Sequence, residues 1–202
     1  MQWLSSYRRV LRQASPHLPL MMGVTVLALG SMVGLALIGA SGLISRNLLI
    51  GASLVLGTFL ALGFLQNTLR LSRGLPLDPY AFVLVSPVLV GKLTATVALM
   101  ALFILGGLCL FLVPGLMAFS AFYFAPVLVV DKGLGPVQAL RESARLTRGH
   151  RREILLAHLV ASALYSLASI PGFTLVLTMP LYWFFLVTPY LEYSAELENG
   201  PA

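Results

Sequence analysis

The chain has little charge and almost none of the usual chemical apparatus. Only 7 of its 202 residues are acidic, 3 are histidine and 1 is cysteine. A lone thiol, Cys109, excludes an internal disulfide and every cysteine-based metal spacing, and its place inside an apolar run marks it as lipid-facing or packed. Charged residues make up 10% of the chain, against about 25% in an average soluble domain, too few to clothe a soluble core. No His-Glu-x-x-His, Gly-x-Ser-x-Gly, Asp-rich transferase signature or P-loop occurs, so the sequence nominates no catalytic residue, metal ligand or cofactor and the expectation is a protein that is not an enzyme. A net charge of +6 suits nucleic acid only on a folded polar domain, and none fits between the apolar runs.

What is present is hydrocarbon. Hydrophobic residues make up 58% of the chain and its mean hydropathy is +0.92. Crossing a bilayer takes about 20 apolar residues in helical form, because hydrocarbon cannot satisfy open backbone groups. Six runs approach that length: Leu18 to Ala40, Leu48 to Leu71, Leu93 to Val113, Leu116 to Val130, Ile154 to Ser169 and Phe173 to Leu191. The first is too long for a cleavable signal and reads as a retained span. The fourth and fifth reach only about 24 Å at 1.5 Å per residue, short of a core about 30 Å thick. Pro114-Gly115 and Pro171-Gly172 divide the later runs, proline stopping one helix and glycine freeing the turn. The fold class expected is therefore all-α: one polytopic helical bundle over residues 1–202, with about six spans, Pro-Gly hairpins and amphipathic interfacial helices.

Charge sets the orientation. With six spans, Arg8, Arg9, Arg12, Arg70, Arg73 and Lys92 share a side with Lys132, Arg141, Arg145, Arg148, Arg151 and Arg152, while Arg46 stands alone opposite. The positive-inside rule then puts both termini in the cytoplasm of a cell inner membrane. Within residues 1–15, Trp3, Leu4, Tyr7, Val10, Leu11 and Ala14 recur at helical spacing opposite the arginines, predicting a helix lying on the leaflet. Asp78 caps a short surface or re-entrant helix that Pro79 starts and Pro87 interrupts. Residues 192–202 form an acidic tail with Glu192, Glu196 and Glu198.

The most polar stretch, "DKGLGPVQALRESARLTRGHRRE" over 131–153, holds six of the 13 cations. Pro136 suits a first helical turn and Gly149 a stop, framing a basic amphipathic helix. Val137, Leu140 and Ala144 line its apolar face, Arg141, Arg145 and Arg148 its basic one, with Glu142 within reach of Arg145 and Ser143 one turn before Thr147. Two readings stand side by side: a solvated loop that fixes topology, and a contact in which Arg141, Arg145, Arg148, Arg151 and Arg152 hold anionic headgroups or a partner protein. In the fifth run His158, Ser162, Tyr165 and Ser169 share a face, read as helix–helix hydrogen bonding rather than a proton path. His150 reads as a solvated residue of the turn. Gly30 and Gly34 form a Gly-x-x-x-Gly expected to pack closely against another helix of the bundle, and Gln66 and Asn67 face the interface or a neighbouring helix.

The segment from Leu108 to Leu155 resembles the shared part of a group of bacterial six-helix membrane proteins that includes the glycerophosphoryl diester phosphodiesterase membrane domain. Pro114, Gly115, Asp131, Ala139, Leu140, Ser143, Leu146, Thr147 and Gly149 occupy the positions of its pattern. The family has no agreed catalytic residues to carry over, and because this chain carries no soluble phosphodiesterase domain of the kind fused to some members, the resemblance does not imply a phosphodiesterase. The function expected is non-catalytic: organising lipids, helices or a partner protein. The alternative is a small oligomeric transporter or lipid-moving protein built on broken helices. Expected partners are anionic membrane lipids and a membrane or cytoplasmic protein; homo-oligomerisation is left open and nucleic acid is excluded.

Overall fold

A computed structural model describes residues 3–40, 45–82, 85–169 and 175–199, and every regular element among them is helical. A short amphipathic helix, α1 (Trp3–Ala14), leads through a 3-10 turn into α2 (Leu18–Ala40), and α3 (Arg46–Ser72) follows. A second 3-10 turn (Pro79–Phe82) precedes α4 (Pro87–Leu110), α5 (Leu112–Phe122) and α6 (Ala125–Lys132). The chain ends with α7 (Pro136–Leu146), α8 (Arg151–Ser169) and α9 (Leu175–Asn199).

Four stretches are long and apolar enough to cross a membrane: Ser15–Gly39, Asn47–Ser72, Pro87–Leu110 and Leu112–Lys132. The short fourth run is thus longer than its sequence suggested, because α5 begins at Leu112 and takes Pro114 and Gly115 into its first turn. Pro87 does not interrupt a helix; it opens α4, which starts six residues before the third run and ends three residues short of it, at Leu110. The reversal between α4 and α5 falls at Phe111, whose backbone is fully extended (φ −163°, ψ 158°). Two glycines let the two arms of this hairpin touch. A Cβ on Gly107 would lie 2.9 Å from Gly115 Cα, and one on Gly115 would lie 2.4 Å from Leu108 Cγ. Pro171 and Gly172 lie outside the described residues.

The span Leu112–Lys132 is broken at Tyr123–Phe124, between α5 and α6. Pro126 is the cause: it has no N–H to donate and its ring clashes with the carbonyl four residues back. Such a break would strand backbone groups in a dry core, and α7 supplies their partners. Ser143 Oγ donates to Ala121 O at 2.9 Å and accepts from Phe124 N at 3.1 Å. Thr147 Oγ1, one turn on, donates to the same carbonyl at 3.3 Å. Ser143 and Thr147 are fully buried. The polar pair read as satisfying itself on the surface is therefore the clasp of a broken helix. Replacing Ser143 with alanine is expected to destabilise the fold by about 1–3 kcal/mol, the cost of an orphaned buried hydrogen-bonding group. Thr147→Val should cost less, because Ser143 still serves both backbone atoms; unfolding midpoints in mixed micelles would rank the two.

This clasp turns α7 by part of a turn from the expected orientation. Ala139, Leu140, Ser143 and Leu146 are buried, while Val137 is 61% exposed. The principal core gathers Leu62, Leu65, Leu128, Leu140 and Tyr190 from α3, α6, α7 and α9, with Phe124 from the α5–α6 break. A second cluster joins Val10 and Ala14 of α1 to Met21, Phe64, Leu71 and Phe184. Val10 and Ala14 of α1 are thus packed against α2, α3 and α9, and Tyr7 Oη donates to Leu181 O at 3.2 Å. Away from these cores the helices present bare hydrocarbon, from Leu27 and Leu37 of α2 to Leu102, Leu110 and Phe111 at the hairpin tip, the surface of a chain whose solvent is lipid. Gly30 and Gly34 do not make the expected close contact: a Cβ at either would meet nothing within 4 Å.

Candidate functional site

Two of the cationic residues, Arg73 and Lys92, tie helix ends to the end of α6 and the turn after it. Arg73 caps the C-terminus of α3 and binds Asp131 at the end of α6. Lys92 of α4 donates to Gly133 O at 2.7 Å, fixing the turn between α6 and α7. Gly133 takes a left-handed conformation (φ +65°), which glycine adopts without strain. Lys132 and the arginines of α7 and early α8 follow directly in the chain.

Of the five predicted arginines, Arg141, Arg145, Arg148 and Arg152 are exposed. Arg145 Nε lies 3.6 Å from Glu142, the expected pairing within the helix. Arg151 is partly buried, and its Nε has no hydrogen-bond partner. The opposite face of α7 is consumed by packing, so its outer face is the side available to a ligand. His150, expected to be solvated, stacks on Tyr193 of α9 at 4.4 Å between ring centroids.

Beneath this basic surface lies an ion pair that sequence reasoning passed over. Asp131 accepts from both terminal nitrogens of Arg73, at 2.7 and 2.8 Å, in a bidentate fork. Tyr190 of α9 donates to the same carboxylate at 2.6 Å. The Asp131 side chain is 8% exposed and that of Arg73 46%, so a nearly buried carboxylate is balanced by a cation that keeps one side in water. Its hydrogen bond to Asp131 raises the pKa of Arg73 above the usual arginine value. Three helices are tied here: the ends of α3 and α6 and the last turns of α9.

Arg73 separates two cavities. One, of about 360 Å³, lies between α3, the 75–82 segment and α6, with Gln66, Arg70, Arg73, Asp78 and Asp131 on its wall. The other, of about 410 Å³, lies between α1, α3 and α9, with Ser6, Ser72, Thr188 and Glu192 on its wall. The first owes its shape to Asn67, fully buried. The Asn67 amide donates to Gly63 O and Asp78 O and accepts from Asp78 N, binding the 75–82 segment to α3. Asp78 Oδ1 accepts from Tyr80 N at 3.0 Å, the cap expected there.

The polar face of α8 meets aromatic rings. His158 Nδ1 lies 3.3 Å from the Tyr123 hydroxyl and 3.4 Å from that of Tyr182, and Phe119 packs on the imidazole. Tyr165 stands against the Tyr182 ring, whereas the side chain of Ser169 lies outside the described residues. With hydroxyl partners on both neighbouring helices, His158 joins α5, α8 and α9 as interhelical hydrogen bonding does. Among the described residues no group of three or more His, Cys, Asp or Glu comes together as a metal site.

Asp131 was visible in the sequence only as a motif position. Its partners, Arg73 and Tyr190, are 58 and 59 residues away along the chain, and no local spacing announces them. An acidic residue at the end of an apolar run was the one available signal, since a carboxylate at that depth requires a partner.

Neither the curated proteins nor the solved structures contain a match to the chain. A family described as a domain of unknown function, DUF7847, matches residues 17–196, from the start of α2 to the last turns of α9. Nearly the whole helical assembly, including the α5–α6 break, its clasp and the Arg73–Asp131–Tyr190 node, lies inside that match; the chain belongs to this family.

Proposed function

We propose that the protein is a non-catalytic, multi-pass organiser of the inner membrane, with both termini in the cytoplasm, and that its basic end engages anionic lipid headgroups. The observation that carries this reading is the division of labour in α7. Ser143, Thr147, Leu140 and Leu146 are spent on the fold, while Arg141, Arg145 and Arg148 project from the other side with little structural work to do. Arginine suits phosphate because its planar fork offers paired donors. Arg152, also exposed, follows them in the chain. The likeness of this segment to the glycerophosphoryl diester phosphodiesterase membrane domain belongs to the same reading, as a kinship of membrane scaffolds.

Each basic residue close to an anionic leaflet contributes about 1 kcal/mol. Changing Arg141, Arg145 and Arg148 together to Gln is therefore expected to lower retention of phosphatidylglycerol about thirtyfold to 150-fold. The smaller figure allows for the share of Arg145 already held by Glu142. Native mass spectrometry of the full chain released from detergent would measure it, and unchanged retention would defeat the lipid reading in favour of a protein partner. A transporter would use the broken span differently, leaving backbone groups open for a solute. Here Ala121 O and Phe124 N are already taken by Ser143 and Thr147, which favours the organiser.

A further inference from the structure

We propose that the cavity of about 360 Å³ between the end of α3, the 75–82 segment and α6 is a site for a zwitterionic phospholipid headgroup, one bearing both a phosphate and an amine. It rests on the membrane placement proposed above but not on the arginines of α7. Its volume falls within the range of about 300–1,000 Å³ typical of small-ligand sites.

The wall carries polar atoms that the protein does not use. Arg70 commits its Nε to Pro76 O at 3.1 Å, and among the described residues its two terminal nitrogens have no hydrogen-bond partner. Asp78 accepts from Tyr80 N through Oδ1, leaving Oδ2 open. The Gln66 amide, on the same wall, has no partner among the described residues. A donor fork, a carboxylate oxygen and an amide thus face one space.

The charges on that wall cancel: Arg70 and Arg73 against Asp78 and Asp131. A bare phosphate would meet two carboxylates and a bare amine two guanidiniums, each unfavourable at short range. A net-neutral group with separated charges meets neither penalty when its phosphate lies toward Arg70 and its ammonium toward Asp78. Two sources offer this chemistry, a lipid and a soluble phosphodiester of an amino alcohol. The lipid is favoured by the surroundings: Leu69, Ala81 and Val130 supply an apolar wall. Leu75 and Tyr80 are exposed beside the cavity, where an aromatic side chain suits the headgroup level.

The test is native mass spectrometry of the full chain with phosphatidylethanolamine and phosphatidylglycerol in equal amounts. Wild type should retain phosphatidylethanolamine in preference. Arg70→Gln removes the phosphate donors and should lower that retention about tenfold, the effect of losing a charge-assisted hydrogen bond. Asp78→Asn keeps an oxygen for the Tyr80 amide but loses the charge, and should turn the preference toward phosphatidylglycerol. The α7 triple variant should leave the preference for phosphatidylethanolamine intact while lowering phosphatidylglycerol retention. An unchanged preference in both Arg70→Gln and Asp78→Asn, with unfolding midpoints like wild type, would overturn the site and leave the α7 reading standing. Loss of the preference in the α7 variant alone would also overturn it. Displacement of the lipid by soluble glycerophosphoethanolamine at equal concentration would overturn the lipid as its occupant.

Discussion

Replacing Asp131 with alanine is expected to cost about 3 kcal/mol of stability. Removing one partner of a buried ion pair costs about 3–5 kcal/mol, and the lower figure applies because Arg73 is 46% exposed and can rehydrate. Tyr190 cannot. It is fully buried, and without Asp131 its hydroxyl loses the acceptor at 2.6 Å. Asp131→Asn should fall between wild type and alanine, since an amide oxygen still accepts from Tyr190 while the charge pairing with Arg73 is gone. Unfolding by a denaturing detergent, followed through tryptophan fluorescence, would give the order. Equal stability of Asp131→Ala and wild type would mean that the node ties nothing together.

The second large effect belongs to the α4–α5 hairpin. Gly107→Val is expected to lose about 2–3 kcal/mol, because its Cβ would lie 2.9 Å from both Cα and N of Gly115 and backbone cannot swing aside as a side chain does. The neighbouring Gly106→Ala is the control. A Cβ there meets nothing within 4 Å, so it should be neutral or stabilise the helix by up to about 1 kcal/mol. Similar losses at both positions would show that the close approach at Gly107 is not what matters.

These predictions fall at positions the sequence revealed unevenly. The helices were legible because hydrocarbon forces about 20 apolar residues into each crossing, and so was the frame of α7, which proline and glycine mark at either end. The Phe111 turn was not, for Pro114 and Gly115 were the stronger local signals. Proline fits the first turn of a helix as well as it ends one, and sequence alone does not choose between these uses. The rotation of α7 was missed for a related reason. Ser143 and Thr147 look like surface residues until a broken helix needs hydrogen bonds, and that need arises from Pro126, 17 residues earlier in the chain. The arginines of α7 could be nominated because charge is readable one residue at a time. The cavity beside Arg70 could not, since it exists only where α3, α6 and the 75–82 segment meet.

The clasp also has a consequence for the order of events at the ribosome. When the α5–α6 segment first emerges, Ala121 O and Phe124 N have no partner of their own in the break, and hydrocarbon offers none. Their partners are translated 19 to 26 residues later. Until Thr147 has been made, this segment has reason to linger at the watery interface or beside the insertion machinery rather than settle among lipids. The side chains of Ser143 and Thr147 would then be what lets the broken helix leave water.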